Sequence, residues 1–180
     1  MPTPALILDF WFAEITPAQW WAKSDDFDRL VEARFGAVLQ AAARCELYAW
    51  RATPAGRLAE VIVLDQFPRN VHRDTPAAFA HDPMALALAQ EAVAAGALGA
   101  LEPVERAFLL MPYMHSESAR VHAEAARLFA AWTPADNHAF ELRHKAIIDR
   151  FGRYPHRNAV LGRASTAEEV AFLQTPGSSF

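Results

Sequence analysis

Cysteine is almost missing. Cys45 stands alone in 180 residues, so an internal disulfide and any paired-cysteine metal or redox motif are excluded. Its setting, Ala-Arg-Cys-Glu-Leu, reads as a small buried hydrophobe on a helix rather than a nucleophile. A basic excess is missing too. The net charge is −4, which argues against a nucleic-acid groove. No apolar run approaches the ~18 residues that cross a bilayer. No basic leader with an apolar core and cleavage site opens the chain, so a bacterial-type cytoplasm and no membrane partner are expected. GxGxxG, Walker, HExxH and GxSxG motifs are all absent. One Glu-x-x-His occurs, Glu141 to His144. A di-iron bundle needs two such pairs and two further glutamates, so no metal and no cofactor are expected.

What is present suits a helical domain. Hydrophobic residues make up 53% and charged residues 21%, a globular balance. A chain of this length buries roughly 70% of its unfolded surface, and residues 1–180 read as a single domain. Leu6, Ile7, Phe10 and Trp11 repeat at helical spacing over 4–13. Thr16-Pro17, Thr53-Pro54 and Thr133-Pro134 each read as a cap followed by proline at the start of a helix. Trp11, Trp20 and Trp21 are expected to close the core. Ser24 or Asp25 opens a helix to about Arg44, with Phe27, Leu30, Val31, Phe35, Val38 and Leu39 inward and Gly36 marking close packing. Residues 54–67, apolar on nearly all sides, predict a central buried helix stopped by Pro68.

Asp82-Pro83 opens the next helix, ended by Gly96, and Glu102-Pro103 another, broken or kinked by Pro112. Ser116 is the expected cap of the helix that follows. The long helix after Thr133-Pro134 is read with Phe140, Leu142, Ala146, Ile147 and Phe151 inward, to a stop at Gly152. Ser165 through Glu169 is a capping-box signature for a last short helix. The fold class is all-α, an irregular antiparallel helical stack without the strict 34-residue tetratricopeptide repeat.

Two stretches echo each other. Asp65-Gln66-Phe67-Pro68-Arg69-Asn70 follows the central helix, and Phe151-Gly152-Arg153-Tyr154-Pro155-His156-Arg157-Asn158 follows the last long one. Both spell an aromatic residue and proline before Arg-Asn, with His156 added in the second. His115-Ser116-Glu117 lies in a third break. Helix ends at one side of an antiparallel stack converge, so these segments are expected to form one polar pocket. Arginine offers a planar fork for carboxylate or phosphate, and histidine moves protons near neutral pH. The candidate ligand-binding residues are Asp65, Gln66, Arg69, Asn70, Arg153, Arg157 and Asn158. The candidate catalytic residues are His115 and His156 as acid or base, oriented by Glu117 or Asp65. If Arg69 and Arg157 approach to about 5 Å they repel by roughly 3 kcal/mol at an effective dielectric near 20, so an anion is expected between them. A protein carboxylate or helix-end carbonyl could fill that place, making the motifs internal clamps of a peptide- or protein-binding module. A small anionic molecule could fill it instead, in a binding protein or cofactor-independent enzyme.

Five ordered stretches carry a resemblance. They are Ile7 to Phe12, Leu64 to Asn70, Met111-Pro112 with His115-Ser116-Glu117, Arg150 to Asn158, and Leu161-Gly162-Arg163 with Ser165-Thr166 through Glu168-Glu169. Together they resemble a bacterial domain of unknown function, family 924, along essentially the whole chain. The resemblance implies an all-helical, tetratricopeptide-like fold and no particular activity. Its motif residues here are the polar ones singled out above. Trp20-Trp21 departs from the family pattern, where a phenylalanine often accompanies the early tryptophan.

Overall fold

The computed structural model describes residues 2–179. Among them every regular element is helical. In chain order these are α1 (Pro4–Asp9), α2 (Asp25–Ala43), α3 (Pro54–Asp65), α4 (Phe67–Val71), α5 (Asp82–Ala94), α6 (Pro103–Met114), α7 (Ala119–Trp132), α8 (Ala135–Phe151) and α9 (Ala167–Leu173). Short connections make neighbours antiparallel, and the result is an irregular helical stack.

α3 is its axis. Thr53 caps it by accepting from the Gly56 amide at 3.1 Å, with Pro54 preset for the first turn. Leu58, Val61, Ile62, Val63 and Leu64 are all fully buried, against α1, α2, α5 and α6. Truncating Ile62 to alanine in such a setting typically costs 2–5 kcal/mol. Close backbone packing occurs at Gly56, where a Cβ would lie 1.9 Å from the Trp50 carbonyl oxygen. Gly36, the expected contact point, has nothing nearer its Cβ position than Glu32 Cγ at 3.9 Å.

α3 ends at Asp65, just before Pro68, as expected. The backbone turns at Gln66 and restarts as α4 with Pro68 in its first turn, where a missing N–H costs nothing. α6, by contrast, runs through Pro112 to Met114. The first helical stretch widens into a π-turn at Phe10–Glu14, which carries Phe10 and Trp11 into the core. Trp21 does not join them: it is 65% exposed. Cys45 is exposed as well, at a positive φ of 59° just beyond α2. Ser118, not Ser116, caps α7.

α8 departs furthest from expectation. It buries Glu141, His144, Ile147 and Ile148, while Phe140 and Leu142 face outward. The reason lies on α7, whose fully buried His122 bonds Glu141 at 2.7 Å. A buried charge-capable pair fixes the rotation of α8, and Phe140 is left to stack under the Arg143 guanidinium, 4.1 Å away. One apolar core extends from Ile7 to Phe129. A smaller cluster of Ile147, Ile148 and Tyr154 lies beside it, and the Tyr154 hydroxyl crosses the seam to donate to the Met114 carbonyl.

Candidate functional site

The polar residues gather where the ends of α3 and α6, the start of α5 and the segment after α8 meet. Asp65, the last residue of α3, is fully buried. Its Oδ1 accepts from His115 Nδ1 at 2.8 Å, and its Oδ2 accepts from Gln66 Nε2. Arg69, one turn on, donates to the Asp65 carbonyl and lies 3.5 Å from its carboxylate. Burial alone would raise the Asp65 carboxyl. His115, Arg69 and the hydrogen bonds from His115 and Gln66 outweigh burial and hold it down to about 2. Burial and Arg69 press the His115 pKa below its usual value, against the pull of Asp65. At neutral pH Asp65 is therefore an anion and His115 a neutral imidazole. Nδ1–H donates to Asp65, and Nε2 keeps a lone pair.

The anion between Arg69 and Arg157 is Asp82, at the first turn of α5. Arg69 meets it with two parallel bonds of 2.9 and 3.0 Å. Arg157 reaches it through one long contact, Nη1 to Oδ2 at 3.4 Å. Arg157 is poorly compensated. Its side chain is 8% exposed, and its Nε has no hydrogen-bond acceptor among the described residues. Its guanidinium lies 4.7 Å from both the Phe79 and the Tyr154 ring centroids. Burial and Arg69 both press its pKa down. His156, tilted against Tyr154 at 5.4 Å, is lowered to about 4, first by burial and then by Arg157.

The remaining sequence candidates do other things. Asn70 donates to Asp28 at 2.8 Å, beside a two-bond Arg73–Asp28 pair that ties α4 to α2. Arg153 grips Glu169 through 2.7 and 2.8 Å bonds and ties the segment to α9. Glu117 accepts from the Tyr154 amide at 2.8 Å and from both terminal nitrogens of Arg163. Asn158 bonds Arg163 and Ser165, each at 3.0 Å. Asp65, Gln66, Arg69, His115, His156 and Arg157 thus form the cluster. Asn70, Arg153, Asn158 and Glu117 form the frame that holds its segments.

Sequence reasoning missed Asp82, Phe79 and Tyr154. It also missed a second carboxylate–histidine pair, Glu141 and His122, both fully buried. His122 Nε2 donates to the Ser116 carbonyl at 2.8 Å and lies 3.2 Å from the Tyr154 hydroxyl. Burial raises the Glu141 pKa against the pull of His122, and its Oε2 has no partner among the described residues. The available signal was His122 itself, which falls in the 122–125–129 stripe of α7. Among the described residues no group of three or more His, Cys, Asp or Glu side chains is placed to hold a metal ion, and no helix is long and apolar enough to cross a membrane.

Comparison with known proteins agrees with this architecture. Residues 7–177 match the family described as "Bacterial protein of unknown function (DUF924)". A solved structure of a protein of unknown function from Agrobacterium tumefaciens is 36% identical, with a TM-score of 0.90 over 95% of this chain and 96% of that one. No curated protein matches.

Proposed function

Since the chain belongs to this bacterial family of unknown function, DUF924, we propose a role from the geometry of the cluster: it binds a small carboxylate- or phosphate-bearing molecule, and His115 acts on it as a general base. The observation that carries the reading is a neutral histidine oriented by a buried carboxylate, beside an arginine short of counter-charge. Arg157 Nε supplies an unused, desolvated donor, for which an anion is the natural acceptor. His115, 17% exposed at its side chain, is reachable from solvent. In a hydrolytic step Nε2 would take the proton of an attacking water and return it to the leaving group. Asp65 would stay ionised and stabilise the imidazolium, as the carboxylate does in other acid–base triads. The set needs no cofactor and suits a cytoplasmic binding protein or enzyme.

A second reading is supported by Asp82 and by the Asn70, Arg153 and Asn158 bonds: the motifs are clamps of a tetratricopeptide-like interaction module. Thermal unfolding with acetate and with inorganic phosphate separates the two. A ligand at 100 times its Kd adds about 2.7 kcal/mol of apparent stability. The binding reading expects such a rise in the wild type and its loss in Arg157→Lys, which keeps the charge but not the fork. No rise with any small anion, or an equal rise in Arg157→Lys and Arg157→Ala, leaves the clamp reading standing.

A further inference from the structure

α6 ends without a glycine. His115, Ser116 and Glu117 follow Met114, and none of these residues takes the left-handed backbone that commonly folds donors back onto a helix end. His115 itself stays right-handed, at φ −80° and ψ −10°. The last carbonyls of a helix have no partner within it. The His115 amide reaches the Met111 carbonyl at 2.9 Å, and the Ser116 amide the Tyr113 carbonyl at 3.3 Å. The carbonyls of Met114 and Ser116, one on each side of His115, take their donors from far along the chain.

The Tyr154 hydroxyl donates to the Met114 carbonyl. His122 Nε2 donates to the Ser116 carbonyl at 2.8 Å and lies 3.2 Å from the same hydroxyl. Both side chains are fully buried, so water does not compete for either bond. Each donor is held in turn. Glu141 Oε1 stands 2.7 Å from His122 Nδ1, and the Tyr154 amide donates to Glu117 at 2.8 Å. Side chains from α7, α8 and the segment after α8 thus converge on two backbone oxygens, and the residue between those oxygens is His115.

We infer that Tyr154 and His122 are positioning residues for His115: their bonds to the two flanking carbonyls fix its backbone and so aim Nδ1 at Asp65 on α3. This rests on the reading of His115 as the general base, and it adds how a histidine in a helix break is kept on target. Asp65 restrains the ring through one 2.8 Å bond, which by itself leaves the root of the side chain free to swing. A reacting group has to be held within about 0.5 Å of its working place. The buried Glu141–His122 pair therefore orients α7 against α8 and, through Ser116, the base as well.

Nitrogen-15 NMR of the full chain labelled at histidine reads the His115 tautomer near neutral pH, its signals identified by their loss in His115→Gln. The wild type should show one tautomer, with the proton on Nδ1. Tyr154→Phe removes only the hydroxyl and should speed exchange of that proton about tenfold, the factor that one buried hydrogen bond corresponds to. His122→Leu should give a mixture of tautomers, and His122→Gln, whose amide can still donate to the Ser116 carbonyl, should restore the single one. Ile147→Val loosens the α8 core and should leave the His115 ring unchanged. If the wild type itself shows a mixture, the dyad is misread and the general-base reading fails along with the inference. If the wild type carries Nδ1–H alone, and Tyr154→Phe and His122→Leu keep it with unchanged exchange, the dyad stands and the positioning inference is overturned. A change in Ile147→Val as large as in Tyr154→Phe overturns it too, because lost stability would then account for both. Should His122→Leu not fold, Tyr154→Phe decides the question alone.

Discussion

Two carboxylate–histidine pairs lie within one domain, and their carboxylates are shifted in opposite directions. Asp65 and His115 are 2.8 Å apart, Glu141 and His122 2.7 Å. Both carboxylates are fully buried, so burial alone would make both neutral. Arg69 decides the difference. It sits on Asp65, keeps that carboxylate ionised and presses His115 toward neutrality. No arginine bonds Glu141, and its pKa is raised. The first pair reaches solvent through His115. The second is sealed, and its role is to orient α7 against α8.

The largest test of this contrast is Asp65→Asn. It leaves Arg69 and Arg157 with Asp82 alone, and breaking a buried pair costs about 3–5 kcal/mol. Urea unfolding should show at least about 3 kcal/mol lost; a loss below about 1 would mean Asp65 is not the anion described. Next comes pH. The Asp65 pKa is depressed from 3.8 to about 2, so its contribution, on the order of 2 kcal/mol, is complete above pH 4 and is lost as pH falls toward 2. His115, also depressed, acts in the same direction, with stability lost as pH falls below 6.5. Glu141, raised from 4.5, acts oppositely: its contribution is complete below pH 4.5 and is lost as pH rises through the folded-state value. Unfolding free energy measured across pH should fall less steeply between pH 4 and 2 in Asp65→Asn than in the wild type, the other depressed carboxylates keeping a residual slope in both.

A smaller effect is expected from Tyr154→Phe. Its hydroxyl donates to Met114, and the loss of one buried hydrogen bond with its acceptor left behind costs about 1–2 kcal/mol. Smallest is Glu141→Gln. If the carboxyl is already neutral, an amide donating to His122 Nδ1 replaces it, and the melting curve should shift by less than about 1 kcal/mol equivalent. A loss as large as that of Asp65→Asn would show that Glu141 is ionised and that the contrast between the pairs is false.

Helix starts were legible where the cap acts locally, and not at Ser116 or Thr133: Ser118 caps α7, and the Thr133 hydroxyl turns back to the Phe129 carbonyl. Thr53-Pro54, Ser24 and the Thr166–Glu169 box all act within three residues. The convergence of Asp65, Arg69, His115 and Arg157 was legible because helix ends at one side of a stack must meet. Asp82 was not, because Asp-Pro at a helix start has a sufficient local explanation and nothing in spacing tells which carboxylate fills the gap between two arginines. α8 was misread for the same reason. Phe140 and Leu142 are apolar and Glu141 is not, so only knowledge of His122 on the neighbouring helix turns the face around. Gly36 and Gly56 make the same point in miniature: both sit in helices, and only the second has a backbone carbonyl against it.

The cluster's contacts also have a consequence for the order of folding. His115 bonds a residue 50 positions earlier, Tyr154 one 40 earlier, and Arg157 one 75 earlier. Contacts of such separation bear the loop-closure entropy of the whole intervening chain before they form. The helices that pack on α3 all lie within residues 4–114, whereas the Arg157 contact waits until residue 157 has left the ribosome. The Arg157 end of the cluster therefore forms after α3 and its neighbours. Pulse-labelled hydrogen exchange during refolding should find the Arg157 amide protected after those of α3; simultaneous protection would show that the domain closes in one step.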